Sequence, residues 1–210
     1  TNWEAGRVEQ MEVENNPEDP EGGSRTMPFG RELYIERGDF LEDAPKKFFR
    51  LSVGREVRLK GGYIIKCEGF TKNEAGEITE LQCTYDPQTR SGQDTSGKKV
   101  KGTIHWVSAE HALDVELRLD DRLFTEEDPT KDEKKEGEEQ HDFLHYLNPE
   151  GLVIVGNAKA EPSLATAAVG TRFQFMRKGY FAVDRESTPE KIVFNRTVTL
   201  RDSWAKKKKK

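Results

Sequence analysis

Cysteine is scarce in this chain: two in 210 residues, Cys67 and Cys83, with no Cys-x-x-Cys pair. A cysteine-built zinc site therefore has no support in the sequence. Both cysteines fall in strand-like runs, where reduced, half-buried thiols are expected. No run of about 18 apolar residues exists, which excludes a membrane-spanning helix. There is no charged start leading into an apolar segment and a small-residue cleavage site, so the chain is expected to be cytoplasmic and not secreted. A serine nucleophile elbow, a Walker loop and a Gly-rich phosphate fingerprint are all missing. Apolar residues are also in short supply, at 33% against 35% charged. That balance argues against a thick helical or doubly wound core. Eleven Phe, five Tyr and three Trp supply enough bulk for small β cores instead.

The net charge of −5 is unevenly spread. Residues 1–24 carry seven acids and one Arg, and residues 126–142 carry nine acids and three Lys, so each stretch is −6 and the rest of the chain is +7. Within that remainder, KKFFRLSVGREVRLK (46–60) sets six basic residues against Glu56 alone. A basic stripe with adjacent aromatics is the footprint of a polyanion site. The same pattern also suits a solvated strand face. The final KKKKK (206–210) reads as a tail that adds non-specific attraction to phosphate.

Along the chain, the first 28 residues run through NNPEDPEGGS and read as extended loop. RELYIERGDF (31–40) alternates Leu33 and Ile35 with Glu32, Tyr34 and Glu36, which predicts a strand. Alternation continues through Val57, Leu59, Tyr63, Ile65 and Cys67. KNEAGE (72–77) is a turn, ITELQCTYD (78–86) a returning strand, and residues 87–99 a flexible loop. KGTIHWV and LDVELRLDDRLF are further strands, separated by a turn at SAEHA. The stretch 126–142 is an acidic low-complexity insertion, too polar to fold alone. FLHYL and the segment after Pro162 predict short helices. TRFQFMRKGYFAVDRE predicts a hairpin turning at RKG, and KIVFNRTVTLRDSW a last strand. Short strands, tight turns and few helices predict a mostly β protein, built as barrels.

The candidates for chemistry are few. His105 and His111 lack helical spacing and have a turn between them, so a framework role is expected. His141 and His145 do have i, i+4 spacing, and with nearby acids they raise a metal-hydrolase reading. They lack the Glu of a zinc-peptidase helix and a third His or Cys. FQFMRKGYF places Gln174 and Arg177 beside four aromatics, and NRTVTLRDSW adds Arg196, Arg201 and Ser203. Amides and guanidinium groups pair with base edges, and aromatic rings stack on unpaired bases.

Three stretches, KVKGTIHWVSAEHALDVELRLDDRLF, AEPSLATAAVGTRFQFMRKGYF and VFNRTVTLRDSWAK, closely resemble the C-terminal anticodon-binding region of the glutaminyl-tRNA synthetase family, bacterial type. The resemblance runs from about residue 24 to 206. It implies two β-barrels with few short helices, of a kind shared at fold level with a ribosomal protein. Residues 1–44 with 126–210 would form the proximal barrel, 45–125 the distal one, and 126–142 a flexible acidic insertion. The anticodon would be held by Arg50, Arg58 and Lys60 with Lys46 and Lys47 nearby, and its central uridine by Gln174 and Arg177, with Ser203 at the place of a hydroxyl-bearing Thr. Two positions depart from the family pattern. Lys60 stands for an Arg, which keeps charge and loses the planar fork, and Phe49 stands for a basic residue. No class I adenylation motif is present. The resemblance therefore implies a monomeric, catalytically inactive fragment of a glutamine–tRNA ligase. It would need no cofactor itself, while the parent enzyme would use ATP and Mg2+. Its partner would be the anticodon loop of a glutamine tRNA, with no DNA and no membrane. A non-catalytic RNA-binding barrel of ribosomal type is the alternative.

Overall fold

Residues 1–130 and 142–200 are described by a computed structural model. Contacts divide the chain into one unit of Thr1–Leu113 with Lys159–Leu164, and a second of Asp114–Ala158 with the residues from Ala165 onward. Ser203, His141, residues 131–141 of the acidic stretch and the lysines at 206–210 lie outside the described residues.

In the first unit, Met11 and Val13 alternate with Gln10, Glu12 and Glu14, so one side of the strand is apolar and the other acidic. This strand, β1 (Glu9–Glu14), pairs antiparallel with β2 (Ser24–Phe29), and the buried side chains of Met11 and Met27 lie opposite each other. The hairpin corrects the reading of residues 1–28 as extended loop. The Pro-, Gly- and acid-rich run is only the connection between two strands. β3 (Leu33–Ile35) is much shorter than the predicted strand and gives way to a 3₁₀ turn at Arg37–Asp39.

β4 (Glu56–Leu59) turns back through Gly61, whose φ of 68° suits a residue without Cβ, into β5 (Ile64–Lys72). β6 (Ile78–Asp86) returns antiparallel to β5. β7 (Thr103–Ile104) pairs parallel with β4, and β8 (Trp106–Ser108) pairs antiparallel with β3. An aromatic cluster fills this unit. Trp3 packs on Phe29 with ring centroids 4.8 Å apart, Phe29 on Trp106 at 5.0 Å and Tyr63 on Tyr85 at 5.0 Å. Burying each such ring stabilises the fold by about 2–3 kcal/mol. The Trp106 indole N–H donates to the carbonyl of Lys60 at 2.9 Å, so the buried ring leaves no orphan donor. Cys67 and Cys83 lie opposite each other on β5 and β6, and both are free thiols. Burial pushes Cys83 up to about 12 and also raises Cys67.

The second unit holds most of β9 (Leu113–Asp120) and β10 (Leu152–Ala160), with β11 (Arg172–Phe175), β12 (Gly179–Val183) and β13 (Ile192–Val198). Phe175 stacks on Phe181 at 4.4 Å, and Phe194 closes on Phe175 at 5.2 Å. The sheet order is β10-β9-β13-β12-β11, with β13 parallel to β9.

The expectation of barrels is overturned. Among the described residues the sheets are β1-β2, β3-β8, β6-β5-β4-β7 and the five-stranded sheet, and none closes on itself. Alternation in sequence fixes which face of a strand is buried. Closure also requires the two edge strands to hydrogen-bond. The edges β6 and β7 do not, nor do β10 and β11. The protein is mostly β, as expected, and its helices among the described residues are short 3₁₀ turns. No helix among them is long and apolar enough to cross a membrane.

Candidate nucleic-acid interface

The basic stripe of the first unit divides into bound arginines and open lysines. Lys46 and Lys47 sit exposed in a turn and make no ion pair among the described residues. That turn is held by Arg55, whose Nη1 donates to the Phe48 carbonyl at 2.7 Å and the Pro45 carbonyl at 3.2 Å. Its Nη2 donates to the Ala44 carbonyl at 2.8 Å. A planar guanidinium can serve three carbonyls at once, which an ammonium on a flexible stem does poorly. Arg55 was not singled out from sequence. Its only signal was being one of six cations in the stripe.

Arg50 donates to the Gly38 carbonyl at 2.7 Å and pairs with the buried Asp39 at 3.4 Å. Arg58 donates to the Thr89 carbonyl at 2.7 Å and to Asp94 at 2.5 Å, tying β4 to the loop at 87–99. Hydrogen bonds from Ser96, then Arg58, hold the Asp94 carboxyl below its ordinary range. Lys60 ends β4. Its N–H donates to the Ile104 carbonyl at 3.0 Å and its carbonyl accepts from Trp106, so the backbone here is fixed while the side chain stays half-buried.

His105 and His111 are framework residues. His105 Nε2 donates to Glu161 at 2.8 Å, and Arg25 grips the same carboxylate through Nε and through Nη2, the latter at 2.8 Å. Burial works against ionisation of Glu161. The bonds and charges of Arg25 and His105 outweigh it and hold the carboxyl at about 2. His111 Nδ1 shares a hydrogen bond with Ser108 Oγ at 3.0 Å.

In the second unit the hairpin β11–β12 pairs Gln174 with Tyr180 and Arg172 with Ala182. Directly paired residues point to one face, so Gln174, Tyr180 and Arg172 share the outer side, all exposed, while Phe173 and Phe175 face the core. Tyr180 is 44% exposed. Arg177 lies in the turn with φ 64°, a left-handed conformation that a residue with Cβ adopts at a cost of about 1 kcal/mol. Gly179 is required where the hairpin meets β13, since a Cβ there would lie 2.5 Å from the Val198 carbonyl oxygen. Tyr180 was legible only as one of four aromatics near Gln174. The cross-strand register is what puts it on the amide's face.

Exposed cations, an outward amide and an open tyrosine ring on a β framework are the side-chain types that single-stranded polyanions engage. The chain belongs to the anticodon-binding family of class I tRNA synthetases: two models described as "tRNA synthetases class I (E and Q), anti-codon binding domain" match residues 1–86 and 103–184. Its curated relatives include the glutamine–tRNA ligase of Rhodopirellula baltica, 54% identical over 206 residues, covering 98% of this chain and 33% of that protein. Those of Vibrio parahaemolyticus and Bradyrhizobium diazoefficiens are 50% and 48% identical, each covering 98% of this chain and 35% of the relative. The chain thus spans about a third of the length of these relatives.

Proposed function

We propose that the chain reads the anticodon loop of a glutamine tRNA on behalf of a glutamine–tRNA ligase that works in the cytoplasm. The match of both family models, backed by relatives that are glutamine–tRNA ligases, carries the reading. In the first unit, Lys46 and Lys47 neutralise phosphates, and Arg50, Arg58 and Lys60 meet the outer anticodon bases. In the second unit, Gln174 and Arg177 read the central base, and Ser203 supports them. An amide both donates and accepts, so Gln174 can answer the mixed edge of a uridine. The fixed left-handed turn at Arg177 supports a positioned guanidinium.

Joining glutamine to the tRNA, with ATP and Mg2+, is the chemistry of the whole ligase. Among the described residues no three His, Cys, Asp or Glu side chains are grouped to hold a metal ion. Their part is to bind and orient RNA. In the whole protein, loop occupancy couples to the distant reaction as a difference in affinity between states.

The test is a titration of the full chain with a glutamine tRNA anticodon stem-loop and with a fully paired RNA helix of equal length. Tighter binding of the stem-loop is expected. Preference for the helix would favour the ribosomal-type reading and overturn this one.

A further inference from the structure

Phe49 is half open to solvent, at 50% exposure, in the middle of the basic stripe. An aromatic ring left in water among cations has no role in the core. Its backbone, by contrast, is firmly fixed. The Phe49 carbonyl packs so closely on Gly102 that a Cβ at that glycine would lie 2.0 Å from the oxygen. The preceding residues 44–48 are clamped by Arg55 through three carbonyls. The Lys101 ammonium stands 5.2 Å from the ring centroid, and Lys46 and Lys47 are exposed in the adjoining turn. The ring is therefore an exposed apolar plate on a fixed backbone, with Lys101 beside it and two more lysines in the adjoining turn.

We propose that Phe49 is a stacking platform for an unpaired nucleobase, with Lys101, Lys46 and Lys47 taking the flanking phosphates. The inference rests on the anticodon-loop reading and adds to it a site of different physics. Stacking on an aromatic face works for any base and depends little on salt, whereas the lysines act through phosphate charge and weaken as salt rises. The plate thus supplies affinity that survives at physiological ionic strength, and the reading of base identity falls to other residues. Lys101 already lies against the ring by cation–π attraction.

The experiment measures binding of the stem-loop by the full chain and by Phe49→Ala, Phe49→Tyr and Phe49→Lys across a salt series. Thermal unfolding of each variant confirms that the scaffold is intact. The expected result is roughly 10-fold weaker binding for Phe49→Ala with an unchanged salt slope. Phe49→Tyr stays close to wild type. Phe49→Lys steepens the slope without restoring affinity at high salt. Wild-type affinity in Phe49→Ala, or full recovery by Phe49→Lys at high salt, overturns the stacking platform alone. Failure of the wild-type chain to bind any stem-loop overturns the anticodon reading and this inference with it.

Discussion

Arg58 donates to Asp94 at 2.5 Å across 36 residues of chain. One of the arginines that the resemblance sets against the anticodon is therefore already paired with a carboxylate, and RNA must replace Asp94 to engage it. Asp94→Asn is predicted to raise RNA affinity by roughly 3- to 10-fold at low salt, because it removes both a competitor and a negative charge. Anisotropy titration checks this. Unchanged or weaker binding would mean that Arg58 is purely a strut for the loop at 87–99.

Arg55 makes its contribution through geometry. Arg55→Lys keeps the charge, yet one ammonium cannot satisfy the Ala44, Pro45 and Phe48 carbonyls together. The expected loss is about 1–2 kcal/mol in urea unfolding, with faster exchange of the Phe48 amide, which donates to Pro45 at 3.0 Å. An unaltered exchange rate would contradict the clamp.

Glu161 ties acid stability to its two partners. Its folded value of about 2 lies below the ordinary 4.5. A depressed carboxyl contributes its full stabilisation above the ordinary value and loses it as pH falls toward the folded one. Stability of the first unit is thus predicted to drop by about 3 kcal/mol between pH 4.5 and 2. Glu161→Gln is expected to flatten that window and to lower stability at neutral pH, where Arg25 and His105 lose their shared carboxylate. Urea midpoints across the pH range measure both effects.

Much of this was legible in the sequence, and the gaps have a common cause. The β5–β6 hairpin was readable because alternation flanks a turn containing Gly76, whose φ is 80°. The β11–β12 hairpin was readable for the same local reasons. The β1–β2 hairpin was hidden because the turn-forming residues 15–23 outweighed the alternation of Met11 and Val13. Barrel closure could not be read, since it depends on which distant edges pair. The site behaves alike. The cationic stripe was visible, but whether a guanidinium is free or committed is decided by Asp39 for Arg50 and by Asp94 for Arg58, each brought in by the fold.

Lys47 and Gln174 are expected to fail in different ways. Lys47→Ala is predicted to weaken binding of all loops alike and to reduce the salt slope by about 1, as for a phosphate contact. A base-dependent loss at Lys47 would reassign it from phosphate to base.

The most direct test compares the wild-type chain and Gln174→Ala on two stem-loops, the glutamine tRNA anticodon and the same loop changed at its central base. Wild type is predicted to prefer the unchanged loop by roughly 10-fold, and Gln174→Ala is predicted to lose that preference. Equal affinity of the wild-type chain for both loops would contradict the account.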